Sequence, residues 1–239
     1  DLHRRRAAAT NLDAARTIGR ELDRPDLLAW AIEIEAWQAL TNHRYDEAAA
    51  LCRTGRELAA ADTSPHVQLA VQEARAAARL GLGRAAHRLL DEATGALGRM
   101  PAPDHPEHHF EFDPRKMVAY TATTLAWLGD NPALAEEYAR QAVAQYDGAS
   151  DGRWLRRLAT ARVDLALVLT RIGEPAEASH LGAQALETGR LVPSNIWRVD
   201  ELDHELTSRY QRVGEVTDFH ARYIETRPRV LGALRPGDG

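Results

Sequence analysis

Three histidines and four acids crowd into the stretch from Pro101 to Lys116, which makes it the richest place in the chain for coordination or acid–base chemistry. His105, Glu107, His108, His109, Glu111 and Asp113 supply imidazole and carboxylate groups, the donors that suit zinc or iron. Against a metal, consecutive His108 and His109 point apart unless the backbone turns sharply, and no helical His-Glu-x-x-His is present. The competing reading is a structured loop that contributes to a ligand pocket, with Phe110 and Phe112 pinning it to the fold. Both readings stand at this level. The candidate set assigns the stretch to ligand contact and none of its residues to metal.

Aromatic residues give a second handle. Trp30, Trp37, Trp127 and Trp197 fall on the first helices of helical pairs, and Trp154 lies near the start of another. Trp and Tyr combine an apolar body with one donor, which suits a peptide or a ring-bearing ligand. Trp37 and Trp127 also occupy packing positions. Trp154 is flanked by Arg153, Arg156 and Arg157, and positions 153 and 157 share a helical face from which two guanidinium groups could fork onto a carboxylate or phosphate. Asp151 and Asp164 could equally neutralise them. The ligand-binding candidates are therefore His105, Glu107, His108, His109, Phe110, Asp113, Lys116, Tyr120 and Trp127, together with Trp37, Trp154 and Arg157.

Catalytic constellations are missing from the sequence. Gly81-Leu82-Gly83 lacks a third glycine and a preceding strand, and there is neither a Gly-x-Ser-x-Gly elbow nor a phosphate loop. Cys52 sits on an apolar helix face, where a thiol is usually inert. His204-Glu205 lacks a second histidine. The expectation is a non-enzymatic chain without a cofactor.

The elements that must position these side chains announce themselves by repetition. Leu40-Thr41, Leu80-Gly81, Leu128-Gly129, Ile172-Gly173 and Val213-Gly214 each end an apolar helical stretch, at steps of 40, 48, 44 and 41 residues. A helix, a tight turn and a second helix cannot bury their own apolar face, so such units must stack. Three- and four-residue spacing reads as a helix from about Arg5 to Leu22, with Leu12, Ala15, Ile18, Gly19 and Leu22 on one face. The pairs that follow run from Pro25 and Tyr45, from Ser64 and Arg84, from Pro114 and Pro132, from Gly152 and Pro175, and from Ser194 and Val216. No period of two appears. The fold class expected is all-α, a right-handed α-solenoid of about five helical hairpins with an inserted loop near 101–113. Residues 1–228 form the repeat domain, with 1–22 an unpaired first helix, and 229–239 form a flexible tail.

Composition narrows the partners. A net charge of −5 argues against a surface dominated by phosphate contacts, so nucleic acid is not an obvious partner of this segment. Lys116 is the only lysine, and the remaining basic residues are all arginine. A single cysteine excludes an internal disulfide and fits a reducing cytoplasm. No window approaches a membrane span, and the charged start is unlike a signal. The absent initiator methionine leads to the expectation of a further segment upstream.

The pairs resemble tetratricopeptide repeats. Trp37-x-x-Leu40 with Tyr45 follows that family's opening with one extra residue, and Leu80-Gly81 is followed by Ala93 and Leu97 at the small and large packing positions. Leu128-Gly129 departs, with Pro132 where an aromatic belongs. The run from His105 to Lys116, with Tyr120, Thr123, Thr124 and Ala126-Trp127-Leu128-Gly129, is similar to the repeat region of actinobacterial regulators that carry a helix-turn-helix domain of the xenobiotic-response-element type. Val192 to Val199, followed by Leu202 and Leu206, is similar to their closing repeat. The resemblance implies a tail that senses a small molecule, peptide or protein, sometimes as a homodimer, and that meets DNA only through an upstream head.

Overall fold

The computed structural model describes residues 5–106, 108, 110–147 and 154–232. Among these, every regular element is an α-helix, and proline marks where several begin. Pro25, Pro132, Pro175 and Pro193 stand at the first helical position and Pro65 at the second, where the missing N–H is no loss and the fixed φ already suits a helix.

The chain divides into two compact units, Asp1–Leu128 and Gly129–Gly239. The first contains α1 (Arg5–Glu21), α2 (Pro25–Thr41), α3 (Tyr45–Leu58), α4 (Ser64–Arg79), α5 (Gly83–Arg99) and α6 (Arg115–Leu128). Each helix from α1 to α6 packs on its neighbour in sequence. In addition, α4 lies against both α2 and α6, so these three alternate helices form a layer of their own. Ala29 and Ala36 of α2, Cys52 of α3, and Leu69 of α4 meet in its core with Ala59. Small residues let the backbones approach. A Cβ added at Gly55 of α3 would lie 2.7 Å from Leu69 Cδ1 and 3.2 Å from Ile32 Cγ2.

The second unit contains α7 (Pro132–Asp147), α8 (Leu155–Ile172), α9 (Pro175–Glu187), α10 (Pro193–Tyr210) and α11 (Gly214–Gly232). Here α8 packs on α7, α9 and α10, while α11 covers α9 and α10. Leu167, Leu169, Leu202, Leu206 and Phe219 are fully buried. Gly182 of α9 sits so close to α10 and α11 that a Cβ would come within 2.6 Å of Phe219 Cε2 and 3.0 Å of Leu202 Cδ2. Across the α8–α10 contact, Asp164 and Arg198 form an ion pair with both side chains buried.

The recurring turn has a common chemistry. The N–H groups of Arg24, Arg44, Leu82 and Glu174 donate to the carbonyls of Gly19, Ala39, Ala77 and Leu169, at 2.8, 2.9, 2.9 and 2.9 Å. Each donor follows a residue in the left-handed region: Asp23 (φ 49°), His43 (φ 60°), Gly81 (φ 71°) and Gly173 (φ 97°). Bonds of this 6→1 type satisfy the last carbonyls of a helix and aim the chain into the next. The sequence reading centres the tight turn on a glycine and, after α2, runs it through Asn42-His43-Arg44. The structure uses Asp23 and His43 at two positions, since short polar side chains tolerate the left-handed region, and Gly214 instead opens α11.

Two other expectations are adjusted. Ile18 and Leu22, assigned to the inner face of α1, are 49% and 63% exposed, whereas Leu12 and Gly19 are buried. Arg16 of α1 pairs with Glu35 of α2, so a polar contact joins the face of α1 that meets α2. The first helix, expected to have no partner before it, packs on α2, the helix that follows it. Residues 229–232, assigned to the tail, continue α11 past Pro228; the remainder, 233–239, lies outside the described residues. Among the described residues no helix is long and apolar enough to cross a membrane.

Three consequences are measurable by urea denaturation with circular dichroism. Gly182→Ala lowers unfolding free energy by about 1–3 kcal/mol, because the new methyl meets two packed side chains; Gly98→Ala, with nothing within 4 Å of its Cβ position, raises it by up to about 1 kcal/mol. Asp164→Ala strands the buried Arg198 cation and costs about 3–5 kcal/mol.

Candidate functional site

Helix α4 is buried on all sides, which is unusual for a helix with this many polar residues. Its apolar face is the stripe Val67, Val71, Ala74 and Ala78. Gln68, Gln72, Arg75 and Arg79 follow at steps of four, three and four, so a polar stripe runs along a different face of the same helix. Being sandwiched between α2 and α6, α4 takes that polar stripe inside.

The buried polar groups answer one another. Glu33 of α2 presents Oε1 to two donors, Gln68 Nε2 at 2.8 Å and Gln72 Nε2 at 3.1 Å. Gln72 Oε1 in turn accepts from Arg75 Nη1 at 2.7 Å. Gln68 Nε2 also lies 3.4 Å from the hydroxyl of Tyr120 on α6. One network therefore links α2, α4 and α6.

Aromatic faces close around its cationic end. The Arg75 guanidinium carbon lies 5.1 Å from the Tyr120 ring centroid and 4.9 Å from that of Trp127, and Arg79 approaches Trp127 to 4.2 Å. Such cation–π contacts are worth about 2 kcal/mol when water is excluded. Burial pushes the Arg75 guanidinium below its ordinary value, partly countered by the fields of Tyr120 and Glu33. The buried thiol of Cys52 is pushed up for the same first reason, burial, which keeps it protonated and unreactive.

The inserted stretch flanks this layer. Phe112 is fully buried and its N–H donates to Ser64 Oγ at the start of α4, 3.0 Å away. It pins the loop as expected. Phe110 does not act as a plug; it is 58% exposed and sets its ring edge-on to the buried Trp30 at 5.9 Å. Asp113 is buried at the start of α6, where its Oδ1 accepts from the N–H of Arg115 at 3.0 Å and from Arg115 Nε at 3.2 Å. Lys116 is buried, with Nζ 5.8 Å from the Phe112 ring. Among the described residues, no three His, Cys, Asp or Glu side chains converge to hold a metal ion. His105 and His108 stack their rings at 4.9 Å, and Glu111 accepts from the His105 N–H at 3.0 Å. Glu107 and His109 lie outside the described residues.

The remaining candidates are spread more widely. Trp37 is half-buried on α2, with its carbonyl accepting from Thr41 Oγ1. Trp154 and Arg157 belong to the second unit, where the Arg157 guanidinium stacks on Trp154 at 4.4 Å and lies 6.0 Å from Tyr146. Arg153 is outside the described residues, and Asp164, a proposed neutraliser, pairs with Arg198. Of the sequence-derived set, Tyr120 and Trp127 join the buried network of the first unit. Sequence reasoning missed Glu33, Gln68, Gln72, Arg75 and Arg79. The four-three-four spacing on α4 was the signal that could have found four of them.

Comparison with models of protein families, with curated proteins and with solved structures gives no match. The site therefore rests on its own geometry.

Gln72→Leu removes one donor from Glu33 and the acceptor of Arg75 Nη1, and lowers unfolding free energy by about 1–3 kcal/mol. Tyr120→Phe removes a single long contact and costs less, about 0.5–1.5 kcal/mol by the same urea titration.

Proposed function

We propose that the first unit is the ligand- or peptide-sensing part of a transcriptional regulator, non-catalytic, and that its site lies on the layer formed by α2, α4 and α6. The observation that carries this reading is the buried network of Glu33, Gln68, Gln72, Arg75, Tyr120 and Trp127, which gathers polar and aromatic side chains from three alternate helices. A core needing only stability is better filled with apolar groups, because buried charge is costly to desolvate. Polar and aromatic groups held together in this way serve recognition. The helix–turn–helix succession within each unit, with its recurring 6→1 turn, supports reading the hairpins as tetratricopeptide-like repeats of a right-handed array.

The same network supplies a route for signalling. A ligand competing for Arg75 or Glu33 changes what ties α2 and α6 to α4, so occupancy biases the spacing of the three helices. An attached DNA-binding head, encoded upstream, then senses that shift. Peptide, protein and small molecule all fall within this class.

Two experiments test the reading. Selection of a displayed random peptide library on the purified chain is expected to enrich binders whose affinity falls at least tenfold with Trp127→Ala, at unchanged helicity. Enriched peptides indifferent to Trp127 contradict the site. Sequencing the gene upstream of Asp1 is expected to reveal a helix-turn-helix; an open reading frame without one removes the regulator role and leaves a peptide-binding scaffold.

A further inference from the structure

Phe110 and Phe112, two residues apart on the inserted stretch, are treated in opposite ways. Phe112 is fully buried and tied by its N–H to Ser64 Oγ, whereas Phe110 is 58% exposed. The exposed ring nonetheless sits on a partner, edge-on to Trp30 of α2 with the ring centroids 5.9 Å apart and the planes at 85°. Trp30 itself keeps only 3% of its surface. A ring that stays more than half in water gains little from burial, so the insert is anchored at Phe112 and only covers Trp30 with Phe110. The space that a competing ring needs is the space the Phe110 ring already fills.

Trp30 has company on that side of α2. Leu27, Trp30, Ile34 and Trp37 follow at steps of three, four and three, which puts them on one face of the helix. Ala29 and Ala36, which enter the core, lie on the other side. Leu27, Ile34 and Trp37 are half-buried, so apolar surface is open on both sides of the position that Phe110 covers. From Leu27 to Trp37 the helix rises about 15 Å, which is longer than one ring and suits a short run of chain. We propose that Trp30 is the receptor for an aromatic side chain of a peptide partner, and that Phe110 is the resident ring which that side chain displaces. The apolar residues flanking the partner's aromatic then lie along Leu27, Ile34 and Trp37. This rests on the reading of the α2–α4–α6 layer as a binding surface, to which α2 belongs, and names the kind of peptide it selects. Because the peptide competes with the protein's own ring, its apparent affinity is scaled down to the fraction of molecules in which Phe110 has left Trp30.

The test titrates the purified chain and its Phe110→Ala variant with the blocked peptide acetyl-Leu-Ala-Phe-Ala-Leu-Lys-amide, with the same peptide carrying Ala for Phe as control. Nuclear magnetic resonance follows the indole N–H of Trp30, identified by its loss in Trp30→Phe. The Phe peptide is expected to shift that resonance saturably and to bind Phe110→Ala about three- to tenfold more tightly than the parent, while the control peptide does neither. Phe110 is exposed, so the variant is expected to fold; should it not, Phe110→Leu removes only the ring and gives the same comparison. Equal or weaker binding to the variant, an unmoved Trp30 resonance, or a peptide that binds neither chain overturns the assignment. N-acetylphenylalanine amide binding as tightly as the peptide overturns it too, since the position would then take a lone ring. Its failure is separable from failure of the sensing layer. Displayed peptides that depend on Trp127 but are indifferent to Phe110→Ala sink the displacement and leave the layer, whereas tightening by Phe110→Ala with no Trp127-dependent peptide enriched does the reverse.

Discussion

The burial of a polar stripe on α4 is the constraint to which the rest of the first unit answers. Once α4 is enclosed by α2, α3, α5 and α6, Gln68, Gln72 and Arg75 have no bulk water to turn to, and every neighbour must compensate. Glu33 on α2 and Tyr120 on α6 do so, and in doing so they set the register of three helices that are far apart in sequence. Interior hydrogen bonds strengthen in a low dielectric, but so does the cost of each one left unmade.

The second unit solves the same problem differently. Its buried charges close on each other directly, Asp164 with Arg198, and Arg171 spans Glu201 and Glu205 between α8 and α10. At the edge of α10 and α11, Asp200 receives the Tyr223 hydroxyl at 2.9 Å and Arg227 Nε at 3.0 Å, while burial first and Asp200 second raise the Tyr223 phenol to about 12. Paired in this way, these groups hold helices in place. Arg75 differs from them in having a neutral amide as its acceptor.

Much of the fold was legible because its signals are local. Proline at helix starts, apolar residues three and four apart, and turns every forty-odd residues depend on nothing beyond neighbouring residues, and the helices from Pro25, Tyr45, Ser64, Pro132 and Pro175 begin where those signals place them. Asp23 and His43 take the left-handed position for which glycine is the usual marker, the second within the Asn42-His43-Arg44 turn that the sequence indicates. The site was less legible. An amphipathic period identifies a polar face but does not say whether that face meets water or another helix; for Gln68, Gln72, Arg75 and Arg79 the packing of α2 and α6 on α4 decides it. Conversely, the histidine-rich insert drew attention through composition, yet its described side chains mostly serve the loop's own structure.

Whether one network joins three helices is open to direct measurement by a double-mutant cycle between Glu33→Gln on α2 and Tyr120→Phe on α6, read by urea denaturation. The two side chains share the amide of Gln68 and lie on helices bridged by α4. A coupling energy above about 0.5 kcal/mol is the expected result. Effects that add to within about 0.3 kcal/mol would contradict a shared network and reduce it to separate local contacts.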